Sequence, residues 1–144
     1  MKLNTLFQML IVPVISAGFL FTQPVKADDD DTQLAKTMKE ASVALKALRK
    51  LPKDDWAGGV QKSRAAAEGI RKGMAFIPVM LKDMRDGVEK DKALADYRRL
   101  MGLNYAALCE LELAYLEKDA EKVLAASKSW KALKKEGHKK YEDE

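Results

Sequence analysis

From Leu34 to Tyr141 the apolar residues of this chain recur every three or four positions, and no stretch shows the alternation a strand needs. That spacing restricts the fold to helices that bury one stripe each. Leu34, Met38, Ala41, Leu45 and Leu48 form the first stripe, with Asp28 to Asp31 at the end where a helix dipole is positive. Lys46, Arg49 and Lys50 suit its other end, and Leu51-Pro52 stops it, because the residue before a proline avoids the helical region.

Three more helical segments follow. The second has Asp54 or Asp55 as its cap and a stripe of Trp56, Val60, Ala67, Ile70, Met74 and Ile77, interrupted at Ser63-Arg64. Glycines at 58, 59, 69 and 73 lower its propensity, each by up to about 1 kcal/mol relative to alanine, and Pro78 ends or kinks it. Residues 78–92 read as an apolar-then-charged connection, partly helical, whose helical residues the sequence does not place. The third segment, Lys90 to Glu117, carries Leu94, Tyr97, Met101, Asn104 or Tyr105, Leu108, Leu111 and Tyr115. After a turn at Lys118-Asp119, with Asp119 as cap, the fourth carries Val123, Ala126, Trp130, Leu133, Gly137 and Tyr141. Short connections make segments one and two, and three and four, antiparallel neighbours. The expected fold is all-α, an up-down-up-down antiparallel four-helix bundle.

Residues 1–27 stand apart from this pattern. One lysine precedes a mostly apolar run, Leu6 to Phe21, and Val25-Lys26-Ala27 ends in the small residue a signal peptidase prefers. The run is shorter than the roughly 20 residues that span a bilayer and contains Gln8, Pro13 and Ser16. Residues 1–27 are therefore expected to be a cleaved signal peptide and residues 28–144 one helical domain, placed in the periplasm with no stable membrane insertion after cleavage. Without Lys2 and Lys26 the 26 basic residues drop by two, against 22 acidic ones. That near-neutral balance, with both signs alternating along each helix, gives no reason to expect nucleic acid or an anionic membrane as partner. The single cysteine, Cys109, allows no intramolecular disulfide and reads as a buried small hydrophobe.

Enzymatic chemistry finds little support. The only histidine, His138, has no serine or cysteine near it in sequence, no glycine-rich loop follows a strand, and a carboxylate-bridged di-iron site would need a second histidine. Glu110 and Glu112, two apart, point to different faces and read as surface charge. In an up-down-up-down bundle, however, Met38 and His138 fall at the same end, on the first and last helices. A thioether opposite an imidazole suits the two axial positions of a haem iron. Each residue also has a plainer reading: Met38 as core, and His138 as a half-exposed residue in a lysine-rich last turn. With no Cys-x-x-Cys-His in the chain, a covalent c-type haem is excluded.

The ending Gly137-His138-Lys139-Lys140-Tyr141 resembles that of the cytochrome b562 family. Met38 is followed by Leu45-Lys46 and Lys50 at that family's offsets, and Arg64-Ala65-Ala66-Ala67 is similar to a further family string. The resemblance extends without a gap from Tyr97 to Tyr141 and is weakest over residues 68–96, where this chain is longer. It implies a periplasmic electron-transfer protein with one noncovalent b-type haem, Met38 and His138 as iron ligands, and Tyr97 and Met101 beside the porphyrin. Met101 departs from an aromatic. Redox partner proteins would follow, as yet unidentified. The alternative is a haem-free periplasmic bundle acting in protein interaction or stress response, suggested by Met101, the irregular second helix and the exposed-looking run Phe76 to Leu81.

Overall fold

The computed structural model describes residues 27–141. Apart from Ala27, the expected signal peptide lies outside the described residues. The elements are α1 (Ala27–Leu48), α2 (Trp56–Gly73), α3 (Val79–Lys82), α4 (Val88–Leu116) and α5 (Ala120–Tyr141), with no strand among the described residues. Four main helices pack in chain order, α1 on α2, α2 on α4 and α4 on α5, as a helical bundle, while among the described residues α1 and α5 barely meet.

Local chemistry explains the helix ends. Asp55 caps α2, its carboxylate accepting from the Gly58 amide at 2.8 Å. Asp119 does the same for α5, accepting from the amides of Glu121 and Lys122 at 3.0 Å each. Helix α4 stops where Lys118 takes φ 55°, so that its amide reaches Tyr115 O and the next amide, of Asp119, reaches Ala114 O. That is a Schellman closure with lysine where glycine is usual.

Side chains and backbones from neighbouring helices meet in opposite numerical order. Ala41 lies beside Gly69 and Met38 beside Gly73, Tyr115 lies beside Gly59, Arg64 pairs with Glu112 at 2.6 Å, and Lys140 with Asp96 at 2.9 Å. The core runs through Leu81, Leu100, Leu108 and Leu111, with Trp130 the buried residue of α5.

Several expectations change. The interruption of the second stripe at Ser63 is not one: Ser63 is fully buried, its hydroxyl donating back to Gly59 O at 2.7 Å. A small residue that satisfies its own hydroxyl behaves as a core residue. The glycines of α2 are more than a cost in propensity, because Gly59, Gly69 and Gly73 are the points where Tyr115, Ala41 and Met38 come too close for a Cβ.

Pro78 neither ends nor kinks α2. That helix stops at Gly73, the amides of Ala75 and Phe76 turning back to Lys72 O and Gly73 O, and Pro78 instead opens α3. The run Phe76 to Leu81 is not exposed either, since Pro78 and Leu81 are buried and Phe76, Ile77 and Met80 half-buried. Cys109 is half-buried on α4, its thiol beside the Tyr105 hydroxyl, rather than fully inside. Glu112 belongs to the α2–α4 ion pair, whereas Glu110 is exposed. No helix among the described residues is long and apolar enough to cross a membrane.

Candidate functional site

The four residues singled out in sequence come from three helices, Met38 from α1, Tyr97 and Met101 from α4 and His138 from α5. Met38, half-buried on α1, rests its methyl group in the notch left by Gly73 at the end of α2. The Met101 methyl group, from α4, lies against the same notch, and so does the Thr37 hydroxyl, which donates to Leu34 O at 2.9 Å. A residue larger than glycine at position 73 would displace the Met38 side chain.

One turn before Met101, Tyr97 faces the same buried side of α4. Its ring meets that of Tyr141 edge to face, with centroids 5.5 Å apart. Tyr97 is 6% exposed, and its hydroxyl is buried with no hydrogen-bond partner among the described residues. Burial alone pushes its pKa up to about 12, so the hydroxyl keeps its proton and stands as an unused donor.

His138 lies one turn before Tyr141. It is the most open of the four, at the exposed border of α5. Partial desolvation, with Lys134 one turn earlier on the same face, nevertheless lowers its pKa below the usual imidazole value. Neutral imidazole, the form that binds a metal, is thereby favoured.

A path of neighbours thus connects the candidates, from Met38 across Gly73 to Met101, along α4 to Tyr97, and across to Tyr141 and His138 on α5. Two surface cavities lie elsewhere. One, of about 430 Å³, is lined by Ala57, Gly58, Val60, Gln61 and Arg64. The other, of about 410 Å³, runs between α4 and α5 past Ala107, Leu113, Ala126 and Ser129. Among the described residues no three of His, Cys, Asp or Glu gather as a metal cluster. Sequence reasoning did not find Asp96, Arg99 and Glu136, which hold the end of α5 to α4. Their separation along the chain leaves no local signal.

No family model, no curated protein and no solved structure matches this chain. The functional reading therefore rests on its own residues.

Proposed function

We propose that the chain is a periplasmic electron-transfer protein, an up-down-up-down antiparallel bundle of the cytochrome b562 type that carries one noncovalent b-type haem between Met38 and His138. The observation that carries this reading is the run of neighbours from Met38 and Met101 at the Gly73 notch, through Tyr97, to Tyr141 one turn from His138, with a buried tyrosine hydroxyl that has no partner among the described residues.

The residues suit the group chemically. Met38 offers a thioether on a flexible arm, seated in a notch rather than wedged between large side chains. His138 is biased toward its neutral, ligating form. Tyr97 and Met101 supply an aromatic and a polarisable surface for a porphyrin face. Helices α1 and α5, which carry the two ligands, barely touch, so parting them to admit a flat group sacrifices little packing.

The haem supplies a one-electron couple at its iron. Met38 and His138 would hold the iron from the protein, and two protein ligands would leave no place for oxygen or a substrate, which favours electron transfer over catalysis. Met38, a soft thioether donor, would favour the reduced state of the iron. Protonation of His138 would compete with ligation, so acid would weaken its hold on the haem. The leader-like residues 1–27 support export to the periplasm, where the partners would be other redox proteins.

Met38→Ala and His138→Ala should each abolish the six-coordinate low-spin spectrum of the haemin-loaded protein. If both variants keep it, the ligand assignment is wrong. One observation favours a second reading, a haem-free bundle acting through its surface: Leu113, Leu116 and Leu124 stand exposed around the α4–α5 turn. That reading predicts that loss of Met38 and His138 changes packing alone.

A further inference from the structure

The last two turns of α5 are held to the core by few apolar side chains, chiefly Leu133 and Tyr141, both half-buried. Beyond Trp130 no residue of the helix is fully buried, Leu133 and Gly137 are only half-buried, and much of the remainder is lysine and glutamate. Helix ends held this way fray. His138 sits in this segment, and a ligand on a fraying turn is competent for only part of the time, which lowers apparent affinity by that fraction.

One carboxylate on α4 counters this. Asp96 Oδ2 accepts from the Tyr141 hydroxyl at 2.8 Å and from Lys140 Nζ at 2.9 Å. Its Oδ1 accepts from Arg99 Nε at 3.0 Å and Nη2 at 2.8 Å. Arg99 Nη2 also reaches Glu136 at 3.4 Å, and Lys140 reaches the same carboxylate at 3.2 Å. The Tyr141 hydroxyl lies 3.3 Å from Ala93 O as well. The residues gripped, Glu136 on one side and Lys140 and Tyr141 on the other, flank His138. An isolated exposed ion pair would contribute little, but this is a network around a carboxylate whose side chain is only 28% exposed, and both its oxygens are used.

We propose that Asp96 is a positioning residue for His138: from α4 it pins the final turn of α5 and so keeps the imidazole in place for ligation. The inference rests on the haem reading above and adds a residue that touches neither ligand. It assigns Asp96 a role that Asp91 or Glu89, on the first turn of the same helix, cannot fill, because among the described residues no α5 side chain bonds to either, and Glu89 pairs with Lys92 instead.

Two readouts test it. In the haem-free protein, hydrogen exchange at the amides of residues 137–141 should quicken about tenfold in Asp96→Asn, the loss of a charge-assisted grip, and should not change in Glu89→Gln. With haemin bound, Asp96→Asn should lose a large part of its six-coordinate low-spin spectrum. Added imidazole should restore it together with the methionine-to-iron charge-transfer band, since the free ligand replaces a displaced His138 while Met38 stays in place. Tyr141→Phe, which keeps the ring against Tyr97 and removes only the hydroxyl, should show the same loss in milder form and guards against misfolding of the first variant. Saturable haemin binding by the wild type, with full low-spin character in Asp96→Asn and Tyr141→Phe, would overturn the inference alone. A wild type that binds no haemin removes the haem reading and this inference with it.

Discussion

The same substitution, glycine to alanine, should have opposite effects at two helical positions of this bundle. At Gly69, where α2 crosses α1, an added Cβ would lie 2.9 Å from the Ala41 backbone nitrogen, 2.9 Å from its Cβ and 3.1 Å from its Cα. Those atoms belong to the α1 backbone and a methyl group without rotamers, so the contact is relieved only by moving the helices apart. Overpacking of this kind costs about 1–3 kcal/mol, and its upper half applies because no side chain can rotate away. Alanine gains about 1 kcal/mol over glycine in helix propensity, leaving a net loss of about 1–2 kcal/mol. At Gly102 in α4 nothing lies within 4 Å of the added Cβ. Gly102→Ala should therefore keep the gain of about 0.5–1 kcal/mol. Urea unfolding followed by circular dichroism measures both, and at about 4 °C per kcal/mol a thermal scan separates them. A Gly69→Ala protein as stable as the wild type, or more so, would refute the close α1–α2 approach on which the placement of Met38 depends.

Other predictions follow from single features. Tyr97→Phe removes a buried hydroxyl without a partner and should leave the haem-free protein at least as stable as the wild type, by up to about 1 kcal/mol; a marked loss in urea unfolding would mean the hydroxyl is bonded. Lys118→Gly relieves a left-handed residue at the end of α4 and should stabilise by about 1 kcal/mol, and a lower unfolding midpoint would contradict the closure described. His138 has a folded pKa below its ordinary 6.5. In the haem-free protein its contribution is complete above that value and is lost as pH falls toward the lowered folded pKa, because the unfolded chain takes up the proton first. His138→Gln should flatten the stability curve in that window, and equal slopes for the two proteins would disprove the shift.

The bundle was legible because its signals are local. Periodic stripes gave the four long helices, Asp119 announced its cap by residue type and position, and for α2 the sequence offered Asp54 or Asp55, of which Asp55 is the cap. Helix α3 was hidden, since one turn of apolar residues after a proline has no period to read. Ser63 looked like a break because its polarity is visible in sequence, whereas the carbonyl that satisfies its hydroxyl is not. The glycines of α2 registered as weak helix formers, and only the crossing of α1 and α4 over them shows what their missing side chains allow. At the site, Met38, Tyr97, Met101 and His138 could be named from the resemblance and the bundle topology. The notch at Gly73, the unused Tyr97 hydroxyl and the grip of Asp96 on α5 join residues from different helices, and sequence spacing carries no trace of them.

The central claim, one haem held between Met38 and His138, is tested most directly by titrating the purified protein with haemin and reducing the product with dithionite. The account predicts saturation at one haemin per chain, a sharp Soret band, and resolved α and β bands on reduction. A broad spectrum like that of free haemin, without saturation, would contradict it.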